Sequence, residues 1–273
     1  MSPSNSFKNG MGWVKSVISK SDLVLEVLDS REPMLTRSRK IENMVKFRKD
    51  LLLVLNKADL VPMEVLKMWK RYFENQGLKT VFVSSREHQG TKILRDSIKE
   101  LLRKNEGVVG VIGYPKTGKS SVINVLKGHH AASTSSIPMT TGFTKSLQLI
   151  KIDSRIYAID SPGVIPPDGD SFEKALRGSR PEDLEDPVKV AIMLIERIMK
   201  FDPDTLSLTY KVQFSTPMDL LEKIALKRGW VYKSDREPNV DQASVQLIRD
   251  YHEGKIAYYN IPPGFENDKT RDI

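Results

Sequence analysis

Gly113-Tyr114-Pro115-Lys116-Thr117-Gly118-Lys119-Ser120 stands directly after the apolar run Gly107–Ile112 and directly before residues 119–127, whose apolar spacing is helical. Strand, glycine-bearing loop and helix, in that order, is the setting in which G-x-x-x-x-G-K-[ST] folds as a phosphate-binding loop. Its glycines let successive backbone N–H groups turn inward on phosphate oxygens, and the helix behind it presents the positive end of its dipole. Lys119 is placed to reach the terminal phosphates and Ser120 to ligate Mg2+, with Tyr114, Pro115, Lys116, Thr117, Gly118 and Ser121 lining the remaining contacts.

Towards the N-terminus, three short apolar runs recur: Leu23–Leu28, Leu51–Leu55 and Val81–Val83. Continuous runs of this length are strands of a sheet covered on both faces. Helical patterns near 36–48, 62–76 and 91–104 separate them, so the strands are parallel. Beyond the loop, Ser146–Lys151 and Arg155–Asp160 are joined by a few residues, which requires an antiparallel hairpin. The expectation is an α/β P-loop fold, a six-stranded mostly parallel sheet.

Asn56-Lys57-Ala58-Asp59 follows the second run, at the carboxyl edge of the sheet where open α/β folds bind ligands. The Asp59 carboxylate can accept from guanine N1–H and the exocyclic amine, a pair that adenine does not offer. Ser84, Ser85 and Arg86, after the third run, form a candidate loop for guanine O6. Asp160-Ser-Pro-Gly163 fits D-x-x-G, in which the aspartate holds Mg2+ through water and the glycine N–H meets the γ-phosphate. Between the two lies a threonine-rich loop, in which Thr144 is the first choice and Thr140 the second for the hydroxyl that completes the Mg2+ shell. Lys119, Thr144 and Gly163 are thus the candidate catalytic residues. The base-reading motif precedes the phosphate loop, so the motif order is circularly permuted.

After Pro166-Pro167 the strand alternation stops, and helices are expected near 187–200, 217–229 and 239–253. This divides the chain into a GTPase domain at 1–170, a linker with a helix at 171–199 and a small α-helical C-terminal domain at 200–273. The chain has no cysteine, which removes disulfides and thiolate metal sites, and no apolar run approaches the roughly 20 residues that span a bilayer. A cytoplasmic protein with no membrane partner is the expectation. Its net charge is +8, and residues 1–105 carry 21 basic against 12 acidic side chains. Arg31, Arg37, Arg39, Lys40, Lys46, Arg48 and Lys49 crowd one segment, either a footprint for a phosphate backbone or a solvated helix face. Lys227 and Arg228, beside Trp230 and Tyr232, interleave basic and aromatic side chains and are a second RNA candidate. The four histidines lack metal-ligand spacing.

In order, NKAD, SSR, GYPKTGKS, the threonine loop and DSPG resemble the circularly permuted GTPases of the YlqF/YawG class, over about residues 11–200. Asp29-Ser-Arg31-Glu-Pro33 is similar to the D-A-R-x-P segment of that class, and Arg249-Asp-Tyr-His-Glu-Gly254-Lys255-Ile256 to a C-terminal segment of its archaeal and eukaryotic members. The resemblance implies GTP and GDP as ligands, Mg2+ as cofactor, and a switch in assembly of the large ribosomal subunit that binds the subunit, or its precursor, through rRNA. It leaves open a GTPase acting on another RNA, such as in tRNA modification, and a nucleotide-dependent scaffold. Val164 and Ile165 stand where Ras-like enzymes carry a water-orienting glutamine. Intrinsic hydrolysis should therefore be slow, and the resemblance implies stimulation by ribosomal particles. Lys116 replaces an asparagine that in many relatives helps hold potassium, which predicts weak or absent potassium dependence. A monomer is expected, with the oligomeric state open.

Overall fold

The computed structural model describes residues 3–46, 49–103, 106–127, 137–138, 148–160 and 165–265. The chain divides into two compact units, Met1–Pro166 with Asn260–Ile273, and Pro167–Tyr259.

The first unit runs α1 (Pro3–Lys20), β1 (Leu23–Asp29), α2 (Pro33–Thr36), α3 (Arg39–Val45), β2 (Asp50–Asn56), α4 (Met63–Glu74), β3 (Thr80–Phe82), α5 (Thr91–Leu101), β4 (Gly107–Ile112), α6 (Lys119–Lys127), β5 (Ile137–Pro138), β6 (Gln148–Lys151) and β7 (Ile156–Asp160). The sheet order is β3-β2-β1-β4-β7-β6-β5. Pairs β1–β2, β1–β4, β2–β3 and β4–β7 are parallel, and β6–β7 is the antiparallel hairpin. The six expected strands are present, and the two-residue β5 adds a seventh at the edge.

Alternate residues of β1 feed two cores. Leu23, Leu25 and Val27 pack with Leu52, Val54, Leu94, Ile98, Val122 and Ile123 on the face that α5 and α6 cover. Val24 joins Val14, Val17, Ile18, Ile41 and Val45 on the opposite face, under α1 and α3. Helices on both faces are what continuous apolar strands require. Helix α1 was not expected from its sequence, and it lies close on β4 because residue 110 is glycine. A Cβ there would sit 2.6 Å from Ser21 Oγ and 2.8 Å from Val17 Cγ1.

The second unit comprises α7 (Ser171–Leu176), a 3-10 turn (Pro181–Asp183), α8 (Pro187–Phe201), α9 (Thr205–Tyr210), α10 (Pro217–Lys227) and α11 (Val240–His252). Four of these helices start on a side chain that accepts from the first turn: Asp170 from Glu173 N, Asp186 from Lys189 N, Thr216 from Asp219 N and Asn239 from Gln242 N. Each such cap stabilises its helix by about 1 kcal/mol. Buried Val190, Ala191, Leu194, Ile195 and Ile198 make α8 the centre of this unit. The expected division therefore differs in two places. Residues 171–199 supply the central helix of the second unit and are no linker, and residues from Asn260 onward return to the first unit. Among the described residues no helix is long and apolar enough to cross a membrane.

Candidate functional site

Strands β1, β2, β4 and β7 all end at the same edge of the sheet, because all four are parallel. The residues that follow them converge there. Asn56, the last residue of β2, donates from Nδ2 to the carbonyl of Thr117 in the phosphate loop at 2.9 Å, and its Oδ1 accepts from Ser85 Oγ at 2.8 Å and Ser85 N at 3.3 Å. Ser84 Oγ donates to Asp59 Oδ1 at 2.6 Å, and Ala58 N donates to Val83 O at 3.1 Å. One asparagine thus ties the base-reading motif to both other loops. Gly118 makes that approach possible: at φ +92°, a Cβ would stand 2.2 Å from Asn56 Nδ2. Arg86 is not drawn into the cluster, since its side chain is 79% exposed beside Glu87.

Within the phosphate loop, Lys119 Nζ donates to Tyr114 O at 2.6 Å and Thr117 Oγ1 to the same carbonyl at 3.0 Å. Burial pushes the Lys119 ammonium down to about 8, so an anion bound at the start of α6 would restore its charge. Tyr114 accepts both bonds on its backbone carbonyl, and its side chain is 2% exposed within the core under α1. Pro115 is half-buried, and Lys116, Ser120 and Ser121 are exposed.

Asp160 ends β7, beside the strand that leads into the loop, and Ile165 N donates to Gly113 O at 3.0 Å. The chain therefore passes the phosphate loop on both sides of D-x-x-G. The Ser120 hydroxyl and an Asp160 carboxylate are hard oxygen donors of the kind Mg2+ takes, so the residues fit that ion. Gly163, Thr144, Thr140 and Arg48 lie outside the described residues.

Asp29 forms a second cluster against the same motif. Its Oδ1 accepts from Arg31 N and Arg31 Nε, each at 3.0 Å, and its Oδ2 from Arg31 Nη2 and Lys57 Nζ, each at 2.8 Å. Burial alone would raise the Asp29 carboxyl, but Arg31 and Lys57 outweigh it and hold it well below the carboxylate range. Burial pulls Lys57 down, against the opposing pull of Asp29. The sequence signal for this cluster was a charged D-S-R-E stretch ending an apolar strand.

The basic segment is only partly a surface. Arg37 is 9% exposed. It pairs with Glu42 through Nε, and through Nη2 at 2.7 Å, donates to Gln76 at 3.0 Å and lies 5.2 Å over the Phe73 ring. Its candidacy as an RNA contact is corrected on that ground. Arg31 is likewise buried, and Lys49 donates to the carbonyls of Ser19 and Ser21 at the C-terminal end of α1. Arg39 and Lys40 are exposed. In the second unit, Lys227 is exposed and donates to Tyr210 O at 2.8 Å, and Arg228 lies 5.1 Å over Trp230.

The family model described as 50S ribosome-binding GTPase matches residues 108–222. The matched stretch opens on β4, so the base-reading motif falls before it. An uncharacterized GTP-binding protein of Methanocaldococcus jannaschii is 38% identical over 95% of this chain and 69% of its own length. A guanine nucleotide-binding protein-like 3 homolog of Caenorhabditis elegans is 33% identical over 92% of this chain and 49% of its own length. The nucleolar GTP-binding protein 2 of Candida glabrata is 35% identical over 94% and 53%. The chain thus spans about half the length of the two eukaryotic relatives. The crystal structure of GNP-bound YlqF from T. maritima superposes with a TM-score of 0.65, at 22% identity over 92% of this chain and 97% of that one, a likeness in fold.

Proposed function

The chain belongs to the circularly permuted GTP-binding proteins of the YlqF/YawG class, and from that premise we propose that it is a GTP-hydrolysing switch acting in large ribosomal subunit assembly. The observation that carries this reading is the Asn56–Thr117 hydrogen bond, which joins a guanine-reading motif to a phosphate loop that follows it in the chain. In this reading Asp59 accepts from guanine, Ser84 and Ser85 shape the base loop, and Lys119 holds the terminal phosphates. Ser120, Thr144 and Asp160 are the Mg2+ donors. Bound Mg2+ would neutralise charge on the phosphate oxygens. Gly163 offers its N–H to the γ-phosphate.

Val164 and Ile165 give no side chain that can orient a water, so turnover by the protein alone is slow. The partner is the large subunit or its precursor, approached through rRNA by Arg39 and Lys40 on the first unit and Lys227 and Arg228 on the second. The match to the 50S ribosome-binding GTPase family supports that partner.

The experiment is GTP turnover with 50S subunits, 30S subunits, tRNA or none, with Asp59→Asn as the base-specificity control. Stimulation by 50S alone is expected. Stimulation by tRNA alone would move the target to tRNA. The missing glutamine favours one second reading, a nucleotide-dependent scaffold, and tight GTP binding with no turnover under any condition would select it.

A further inference from the structure

Asp29 and Asn56 are partners in the β1–β2 register, so the last residue of β1 lies beside the first residue of the base-reading motif. Two further contacts bind the turn after β1 to that motif. Ser30 N donates to Asn56 O at 2.9 Å, and Lys57 Nζ donates to Asp29 Oδ2 at 2.8 Å.

The Lys57 backbone adopts φ 62°, ψ 37°, the left-handed region that a lysine rarely occupies. A residue stays there when its surroundings over-determine it. The 3-10 turn that carries Asp59 starts from this residue, with Leu60 N donating to Lys57 O at 3.0 Å. The conformation of Lys57 therefore sets the start of the turn that carries Asp59, whose Oδ1 also accepts from Ser84 Oγ at 2.6 Å.

A structural ion pair would be complete without Lys57. Arg31 is 1% exposed and already meets both carboxylate oxygens of Asp29. The lysine adds a second cation to a single buried carboxylate, an arrangement that core stability does not call for. The added cation belongs to the motif that reads the base.

We propose that Asp29 is a positioning residue for guanine recognition: its carboxylate, oriented by Arg31, anchors Lys57 in the left-handed conformation from which the turn presents Asp59 to the base. The proposal rests on the guanine-binding reading of the site.

The test is a double-mutant cycle on affinity for a fluorescent GDP analogue, using the full chain as wild type, Asp29→Asn, Lys57→Met and the double variant. Thermal melting without nucleotide is recorded for each. Asp29→Asn should weaken GDP at least tenfold in the Lys57 background. In the Lys57→Met background the same change should weaken it less than threefold, because the group through which Asp29 acts is gone. A merely structural role would cost the same in both backgrounds, so losses that multiply overturn the proposal, as does a folded Asp29→Asn that binds like wild type. Asp29→Asn leaves Arg31 as a buried charge. Should it fail to fold, Asp29→Glu keeps the charge, displaces the carboxylate by one methylene and decides by the same comparison. Failure of wild type itself to bind GDP would overturn the guanine reading, and the proposal with it, whereas binding with multiplying losses overturns the proposal alone.

Discussion

The indole Nε1 of Trp69 donates to the carbonyl oxygen of Asn260 at 2.8 Å, across 191 residues of sequence. Asn260 also donates from its backbone N to Arg31 O at 2.9 Å, and from its side-chain amide to the Glu32 carboxylate. The chain leaves the first unit at Pro166 and, after the helical unit, rejoins it from Asn260. Arg31, which receives it, orients the carboxylate that holds Lys57.

Asn260→Ala removes a hydrogen bond to a charged, buried acceptor, and such bonds contribute about 1.5–3 kcal/mol. The first unit should lose on the order of 2 kcal/mol, read as a lower thermal midpoint with nucleotide absent. Amide exchange at residues 260–265 should rise with it. An unchanged midpoint would show that the tie is incidental.

Lys119 gives nucleotide affinity a pH dependence whose sign is set by burial. Its folded value is lowered to about 8, so the charged form is disfavoured in the free protein and a bound phosphate restores it. GDP binding should take up about half a proton or more at pH 8.5 and weaken as pH rises further. For the free protein, the cost of a buried ammonium is present below about 8 and disappears as pH rises from there towards 10.5. Calorimetric titration in two buffers of different ionisation heat measures the uptake, and a zero value would place the ammonium away from the phosphates.

The strands and the loops that join them at one sheet edge were legible because each is local. An apolar run such as Leu51–Leu55 reads as a buried strand wherever it lies, and a loop motif needs only its neighbours. Helix α1 was not legible: Gly10, Gly12 and several serines lower its helix propensity, and Val14, Val17 and Ile18 make only a short apolar stripe. Its apolar stripe is buried by packing on β4, where residue 110 is glycine. Arg37 reads as surface charge from composition, but its burial depends on Phe73 and Gln76 in another helix. Asp29 carried a family resemblance with no role attached, because its partner Lys57 is reached through strand register. The return of the chain at Asn260 rests on tertiary hydrogen bonds that no local pattern encodes.

Glu26 lies at 0% exposure in the middle of β1, with one carboxylate oxygen accepting from Ser38 N at 2.7 Å and the other without a partner among the described residues. Burial first, then Glu42, pushes its carboxyl up to about 8, against the opposing Ser38 bond and Arg37. A raised carboxyl contributes no cost below pH 4.5 and an increasing cost as pH climbs towards 8. Glu26→Gln, which resembles the protonated form, should match wild type at pH 4.5 and exceed it by roughly 3 kcal/mol near pH 7–8. Denaturant unfolding at the two pH values checks this, and a gap that does not grow with pH would refute a neutral Glu26.

Lys116 is exposed in the phosphate loop at φ 63°, where an asparagine would be more at ease. In the proposed nucleotide site a cation at this position would stand in for potassium beside the phosphates, so turnover should be equal in KCl and NaCl at matched ionic strength. Lys116→Asn should create a potassium preference. A clear rise for the unaltered protein in KCl would assign the lysine another role.

Arg37 and Arg39 stand two residues apart in a segment whose charge suggested RNA, and burial separates what they do. Arg37→Ala strips the partner from Glu42, itself 7% exposed, and breaking a buried pair costs about 3 kcal/mol or more. It should lower the melting temperature by several degrees. Arg39→Ala removes an exposed guanidinium and should leave melting within about 0.5 kcal/mol of wild type. If this face meets rRNA, Arg39→Ala also reduces the slope of log affinity against log salt by roughly one, the signature of one lost phosphate contact. An Arg39→Ala variant with an unchanged salt slope would move the RNA contact elsewhere. An Arg37→Ala variant that melts like wild type would deny the buried pair its structural role.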